Sequence, residues 1–150
     1  MSKEQTIINK LSHVPYHVVK KLCSGKSVLD AACGDGSTSK LLESFGATKV
    51  TGVDLNVELI AGANSRNHSH NVKFYVANVE QLEQFFDSEK FDVIVSSQTI
   101  EHIVDVDAFV FSLKLLLNEN GTIVISCPNE SILGEDISID SHHSKFCYDS

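Results

Sequence analysis

Val28-Leu29-Asp30-Ala31-Ala32-Cys33-Gly34-Asp35-Gly36 is an apolar run that passes into a turn of small residues, and its reading decides the fold. Val28, Leu29 and Ala31 read as a short buried strand, while Ala32, Gly34 and Gly36 carry little or no side chain where the backbone turns sharply. A ligand can then come close to the main chain. Ser37-Thr38-Ser39-Lys40-Leu41-Leu42 begins a helix, whose first amides are expected to point back at the turn as unpaired donors. Strand, turn and helix together predict a site for a polar ligand.

Outward from this stretch, strands and helices alternate. Lys49 to Asp54, Val72 to Ala77, Phe91 to Ser97 and Thr122 to Cys127 read as further strands, and the run from Phe91 is the most apolar, as a central strand would be. Between them the spacing predicts a helix from Ser37 to Phe45 ended by Gly46, and one capped by Asn56 that carries Leu59, Ile60 and Ala63. An acid-rich helix is predicted from Val79 to Phe86. A last helix, opened by Asp105 or Asp107, shows Phe109, Val110, Leu113, Leu116 and Leu117 on one face and is expected to close at Asn120-Gly121. Ahead of all these, Thr6 to Leu11 and Tyr16 to Leu22 read as two helical pieces split by Pro15. Five strands alternating with four helices predict an α/β fold, with a doubly wound, mainly parallel sheet covered on both faces. Ligands of such sheets bind beyond the carboxyl ends of the strands, so Asp30 to Gly36, Asp54, Asn78, Ser97 to His102 and Cys127 to Glu130 are the candidates.

Composition narrows the function. A length of 150 residues with 42% hydrophobic side chains is one domain with a real core. The N-terminus shows no signal-peptide pattern and no stretch is long enough to cross a bilayer, so the expected setting is cytoplasmic, with no membrane partner. Cys23, Cys33, Cys127 and Cys147 have no paired spacing and read as reduced thiols. The formal charge of −8 argues against nucleic acid as a partner. That charge is uneven, with seven lysines against four acids in residues 1–50 and five basic residues against sixteen acids thereafter, which reads as a solvated surface.

A small-residue turn alone would mean only tight strand-to-helix packing. Here Asp54 ends the next strand, where a carboxylate can accept hydrogen bonds from both hydroxyls of a ribose. That pattern points to an adenosine-type cofactor, either NAD or S-adenosylmethionine. The dinucleotide fingerprint fails, because its third glycine falls on Ser39. Asp30 would repel phosphates but could hold a cationic amino group through ordered water, which favours a cofactor carrying an ammonium and a sulfonium.

With these residues in place, the chain from about Tyr16 to about Phe146 resembles the class I S-adenosylmethionine-dependent methyltransferases. Asp30-Ala31-Ala32-Cys33-Gly34-Asp35-Gly36 is similar to the family's first motif, with Ala32 in place of its first glycine. Phe91 to His102 resembles the fourth-strand motif of the subgroup ending in Glu-His, similar to glycan and small-molecule O-methyltransferases. The resemblance implies a Rossmann-like fold. It implies that Ala32, Cys33, Gly34, Asp35 and Gly36 line the methionine and ribose, that Asp54 binds the ribose hydroxyls, and that Leu55 lies against the adenine. Asn78 would accept from the adenine amino group through its amide oxygen, and Val79 would donate its backbone N–H to the ring. Ser97 and Gln98 follow the fourth strand on the cofactor side, and Tyr16 would close over the cofactor.

The resemblance also bears on organisation and mechanism. It implies a single methyltransferase-like domain over residues 1–150, with 1–24 as a helical cap, 25–130 as the cofactor-binding core and 131–150 as a substrate-side loop. Family members usually continue through a sixth and a seventh strand, so the chain is expected to be C-terminally truncated or to have its sheet completed by a partner chain. Methyl transfer is an in-line displacement that mainly needs alignment, and His102 is the candidate base for an acceptor hydroxyl. His143, in a segment loosely resembling one in sugar methyltransferases, is the candidate substrate residue. Asp140-Ser141-His142-His143 reads as a loop without metal. The expected reaction is methyl transfer from S-adenosylmethionine to an oxygen of a small molecule or glycan. A non-catalytic cofactor-binding or regulatory module is the second reading, and a nicotinamide-dependent oxidoreductase the third.

Overall fold

The computed structural model describes residues 16–126 and 145–146. Its elements are α1 (Tyr16–Cys23), β1 (Ser27–Ala31), α2 (Ser37–Ser44), β2 (Lys49–Asp54), α3 (Val57–Ser65) and β3 (Val72–Val76). A 3₁₀ turn (Val79–Gln81) leads into α4 (Leu82–Phe86), then come β4 (Phe91–Ser97) and a second 3₁₀ turn (Ile100–His102). The chain continues with α5 (Val106–Leu115), β5 (Leu117–Ser126) and β6 (Lys145–Phe146). The predicted acid-rich helix is thus a 3₁₀ turn followed by one short α-helix.

The strands form one sheet in the order β3-β2-β1-β4-β5-β6, and every pairing is parallel. The predicted doubly wound sheet is present, with β4 in its interior as its composition required. Beyond the five expected strands, the two residues of β6 extend the sheet beside β5, with Ile123 opposite Lys145 and Val124 opposite Phe146. Strand order reverses between β1 and β4, because β2 and β3 are laid down on one side of β1 and β4 and β5 on the other. In sheets of this topology the ligand crevice lies at this point, beyond the carboxyl ends of β1 and β4.

Alternation along the strands sends side chains to two cores. Val28, Val50, Phe74, Val93 and Val95 face α1, α2 and α3 through Val19, Cys23, Leu41, Leu42, Ile60 and Ala63. Leu29, Ala31, Val53 and Ile94 face α4 and α5 through Leu82, Phe86, Phe109 and Leu113. Phe109 and Leu113 are fully buried, and each such side chain contributes about 1.5–3 kcal/mol relative to exposure. At the amino ends of the strands Asp92 accepts from the Ser27 backbone N–H at 2.9 Å and from Asn118 Nδ2 at 2.9 Å. These donors hold its carboxyl below the usual carboxylate value, the Ser27 N–H first and Asn118 next.

Asn56 caps α3 as expected, accepting from the Glu58 and Leu59 N–H groups, and of the two acids proposed to open α5 it is Asp105 that caps, accepting from Ala108. The close of α5 differs from expectation. The helix stops at Leu115, not at Asn120-Gly121, and β5 begins at once. Phe91 N–H donates to Leu116 O at 2.8 Å, and the register then jumps from Phe91↔Leu117 to Val93↔Thr122. Asn120, at φ 61°, lies in the bulge this creates. The physical reason is Leu117, which is buried and packs so tightly on the bulge that a Cβ on Gly121 would lie 2.6 Å from its Cγ. Among the described residues no helix is long and apolar enough to cross a membrane.

Candidate functional site

The turn after β1 is built on three left-handed residues, Ala32 at φ 67°, Gly34 at φ 54° and Gly36 at φ 80°. Ala32 pays about 1–2 kcal/mol for that conformation, which the two glycines avoid. The turn is tied down from β2. Cys33 N–H donates to Val53 O at 2.8 Å, and Gly34 N–H donates to Asp54 Oδ2 at 2.9 Å. The other Asp54 oxygen accepts from the Asn56 N–H at 2.8 Å. A carboxylate offers about four acceptor positions, so this one keeps room for two further donors.

The turn is less of a bare amide nest than its sequence predicts. Ser37 N–H, the first amide of α2, is taken by Asp35 Oδ1 at 3.0 Å, and Gly36 N–H by Cys33 O at 3.0 Å. The two glycines do different work. A Cβ on Gly36 would lie 2.6 Å from Phe74 Cζ, so that glycine serves packing against β3. A Cβ on Gly34 would meet nothing within 4 Å, so that glycine leaves open space beside Asp54. This is a cradle that a side chain would fill, beside a carboxylate with free acceptor positions.

Asp30 lies beneath the turn instead of in its mouth. It is 1% exposed, and Ser39 Oγ donates to its Oδ2 at 2.6 Å. Burial pushes its carboxyl from 3.8 up to about 7, opposed by the Ser39 bond and aided by the nearby Asp54 charge. Ser39, the residue that broke the dinucleotide fingerprint, is therefore the partner of a buried acid. Burial likewise pushes the Cys23 thiol up to about 12, and Asp30 adds to the shift. Cys33, in the turn itself, is buried and its thiol is raised by desolvation and by the charges of Asp30 and Asp54.

The remaining candidates gather at the same end of the sheet. Leu55, just past β2, is 67% exposed. Asn78 is half-buried, and its amide oxygen already accepts from the Glu80 N–H at 3.0 Å, leaving one acceptor position. Val79 opens the 3₁₀ turn behind it. Ser97 Oγ and Ser126 Oγ lie 2.9 Å apart, and Gln98 N–H donates to Ser126 O at 2.8 Å. His102 closes the turn after β4 and is exposed, with Nε2 3.9 Å from Glu101 Oε1. Tyr16 starts α1, while its side chain, His143 and the Asp140 to His143 cluster lie outside the described residues. Among the described residues no group of three His, Cys, Asp or Glu side chains is arranged to hold a metal ion.

Two contacts at the site had no signal in the sequence. Arg66, the single arginine, caps the C-terminus of α3 and sends Nη2 to Asp35 O at 3.2 Å, while Lys40 Nζ donates to Arg66 O at 3.2 Å. These two bonds brace the turn from outside. They join residues far apart in the chain, which neither periodicity nor spacing can reveal.

Comparison with known proteins agrees with this geometry. Residues 22–148 match the family model of the methyltransferase domain. A ubiquinone biosynthesis O-methyltransferase of Glaesserella parasuis is 35% identical over 112 residues, covering 71% of this chain and 47% of the relative. One of the same name from Coxiella burnetii is 30% identical over 126 residues, covering 81% of this chain and 50% of the relative. The chain thus spans about half the length of the curated relatives it matches. Among solved structures, a Pyrococcus horikoshii protein superposes with a TM-score of 0.68 at 26% identity, over 83% of this chain and 58% of the other. An S-adenosylmethionine dependent methyltransferase of Mesorhizobium loti superposes at 0.66 with 22% identity, over 73% and 50%, a likeness of fold.

Proposed function

The chain belongs to the methyltransferase domain family, and from that premise we propose that it transfers a methyl group from S-adenosylmethionine to an oxygen of a small molecule. The observation that carries the cofactor is the bond between Gly34 and Asp54, which couples an open glycine turn to a carboxylate with two acceptor positions left. Asp54 would take the ribose hydroxyls, the open face of Gly34 the body of the cofactor, Leu55 a face of the adenine, and Asn78 and Val79 its edge. S-adenosylmethionine supplies an electrophilic methyl group on a sulfonium.

The chain's own residues then have to align and deprotonate. Ala32, Cys33, Gly34, Asp35 and Gly36 hold the turn, and the rigid frame around it fixes the line of approach. His102, exposed just past β4, would take the acceptor's proton on a ring nitrogen. Relatives named as O-methyltransferases of ubiquinone biosynthesis support oxygen as the acceptor atom and a small molecule as its carrier. A glycan acceptor rests on the resemblance of the Phe91 to His102 motif and of the segment at His143 to glycan and sugar methyltransferases.

Calorimetric titration with S-adenosylhomocysteine, followed by incubation with S-adenosylmethionine and a panel of phenols, tests the proposal. Micromolar binding with no response to NADH, and methyl transfer to a phenolic oxygen, are the expected results. Binding without transfer to any acceptor would favour the non-catalytic module, and tight NADH binding without S-adenosylhomocysteine binding would overturn the cofactor assignment.

A further inference from the structure

Only two buried side-chain polar atoms among the described residues lack a hydrogen-bond partner, Ser96 Oγ and Gln98 Nε2, and both belong to the carboxyl end of β4. That end borders the crevice where strand order reverses between β1 and β4. Val95 pairs with Asp30, so Ser96 to Gln98 run alongside the start of the glycine turn. Gln98 is also one of the few non-glycine residues at positive φ, at 55°. Two costs fall on the same residue. Side chains disfavour the left-handed region, and a buried donor without an acceptor forfeits its hydration. Its backbone is held there by the bond to Ser126 O, so the conformation is imposed by β5.

Strained backbone and unpartnered buried donors cluster at binding sites, and here they fall on one residue. We propose that Gln98 is a positioning residue whose side-chain amide donates to an anionic oxygen of the bound ligands at the β1/β4 crevice, an inference that rests on the methyltransferase reading. The Gln98 side chain as a whole is part-exposed while its Nε2 is covered, so a ligand that takes up the amide donor needs a rotation of that side chain. The oxygen has two sources, the carboxylate of the cofactor's methionine or the acceptor hydroxyl as it loses its proton. Either would give the amide N–H the acceptor it lacks.

Gln98→Leu, which keeps the volume and removes the donor, separates the outcomes. The variant is expected to melt at or above the wild-type temperature, because the unpaired donor is gone. If the carboxylate is the source, its affinity for S-adenosylhomocysteine falls by about 10-fold or more while that for 5′-methylthioadenosine, which has no carboxylate, is unchanged. If the acceptor is the source, S-adenosylhomocysteine binds unchanged and binding of 3,4-dihydroxybenzoate to the loaded protein weakens instead. Equal behaviour of both proteins toward all three probes, or a melting temperature several degrees lower, overturns the inference. Should Gln98→Leu not fold, Gln98→Glu carries the same titrations, with charge repulsion weakening whichever ligand supplies the oxygen. A wild-type protein that does not bind S-adenosylhomocysteine defeats the proposed function itself, whereas equal binding by wild type and variant defeats only the role of Gln98.

Discussion

Asp54 and Gly34 lie 20 residues apart in the chain, and the carboxylate of one accepts the backbone N–H of the other at 2.9 Å. The bond makes the end of β2 and the turn after β1 a single unit. A donor from a ligand at either place is felt at the other.

Asp54→Ala is therefore expected to act twice. It removes the acceptor proposed for the ribose hydroxyls, and the expected loss of S-adenosylhomocysteine affinity is about 1.5–3 kcal/mol, the range for hydrogen bonds to a charged group. It also frees the Gly34 amide, whose hydrogen exchange should accelerate in the ligand-free protein. Calorimetry reads the first effect and exchange mass spectrometry the second. Unchanged affinity would reduce Asp54 to a cap for the turn.

Asp30 predicts an unusual dependence of stability on pH. Its carboxyl titrates at about 7 in the folded chain against an ordinary 3.8, so the folded state holds a proton that the unfolded state has lost. This contribution to stability is full below about pH 4, declines through the window from 4 to 7 and is gone above it. Asp30→Asn keeps an oxygen for Ser39 and carries no charge. The urea midpoint of the variant should stay level across that window while the wild-type midpoint falls, and parallel curves would show that Asp30 is not the group responsible.

Gly36→Ala is expected to destabilise the fold by about 2–4 kcal/mol. The left-handed backbone accounts for roughly 1–2 kcal/mol, and the clash with Phe74 adds an overpacking cost of about the same size. Pairing it with Phe74→Leu should recover part of the second cost, and a double-mutant cycle measures the coupling. By contrast Gly34→Ala, with nothing within 4 Å, meets only the backbone cost, and its larger effect should be on ligand affinity.

His102→Gln tests the proposed role of this side chain as proton acceptor. The side chain is exposed and pairs loosely with Glu101, so folding should be little altered. Removal of a general base lowers kcat by about 10²- to 10⁴-fold, and S-adenosylhomocysteine affinity should stay constant. Equal kcat in variant and wild type would leave alignment as the whole of catalysis.

The sequence alone determined whatever depends on local spacing. Period-two and helical patterns placed the strands and most helices. Asn56 announced its cap, and the small residues from Ala32 to Gly36 announced a sharp turn, because those properties follow from neighbouring residues and the backbone they allow. Only the tertiary structure decided where α5 ends, since Leu117 leaves the helix to be buried against the sheet beside Phe91. It also decided that Ser112 of α5 caps α4 by accepting the Leu82 N–H at 3.0 Å, and that buried Asp30 accepts from Ser39 beneath the turn. Arg66 bracing Asp35 and the orphaned amide of Gln98 belong to the same group. Each depends on which side chains packing brings together across long stretches of chain, and burial then sets their charge and hydrogen bonding, which no local pattern encodes.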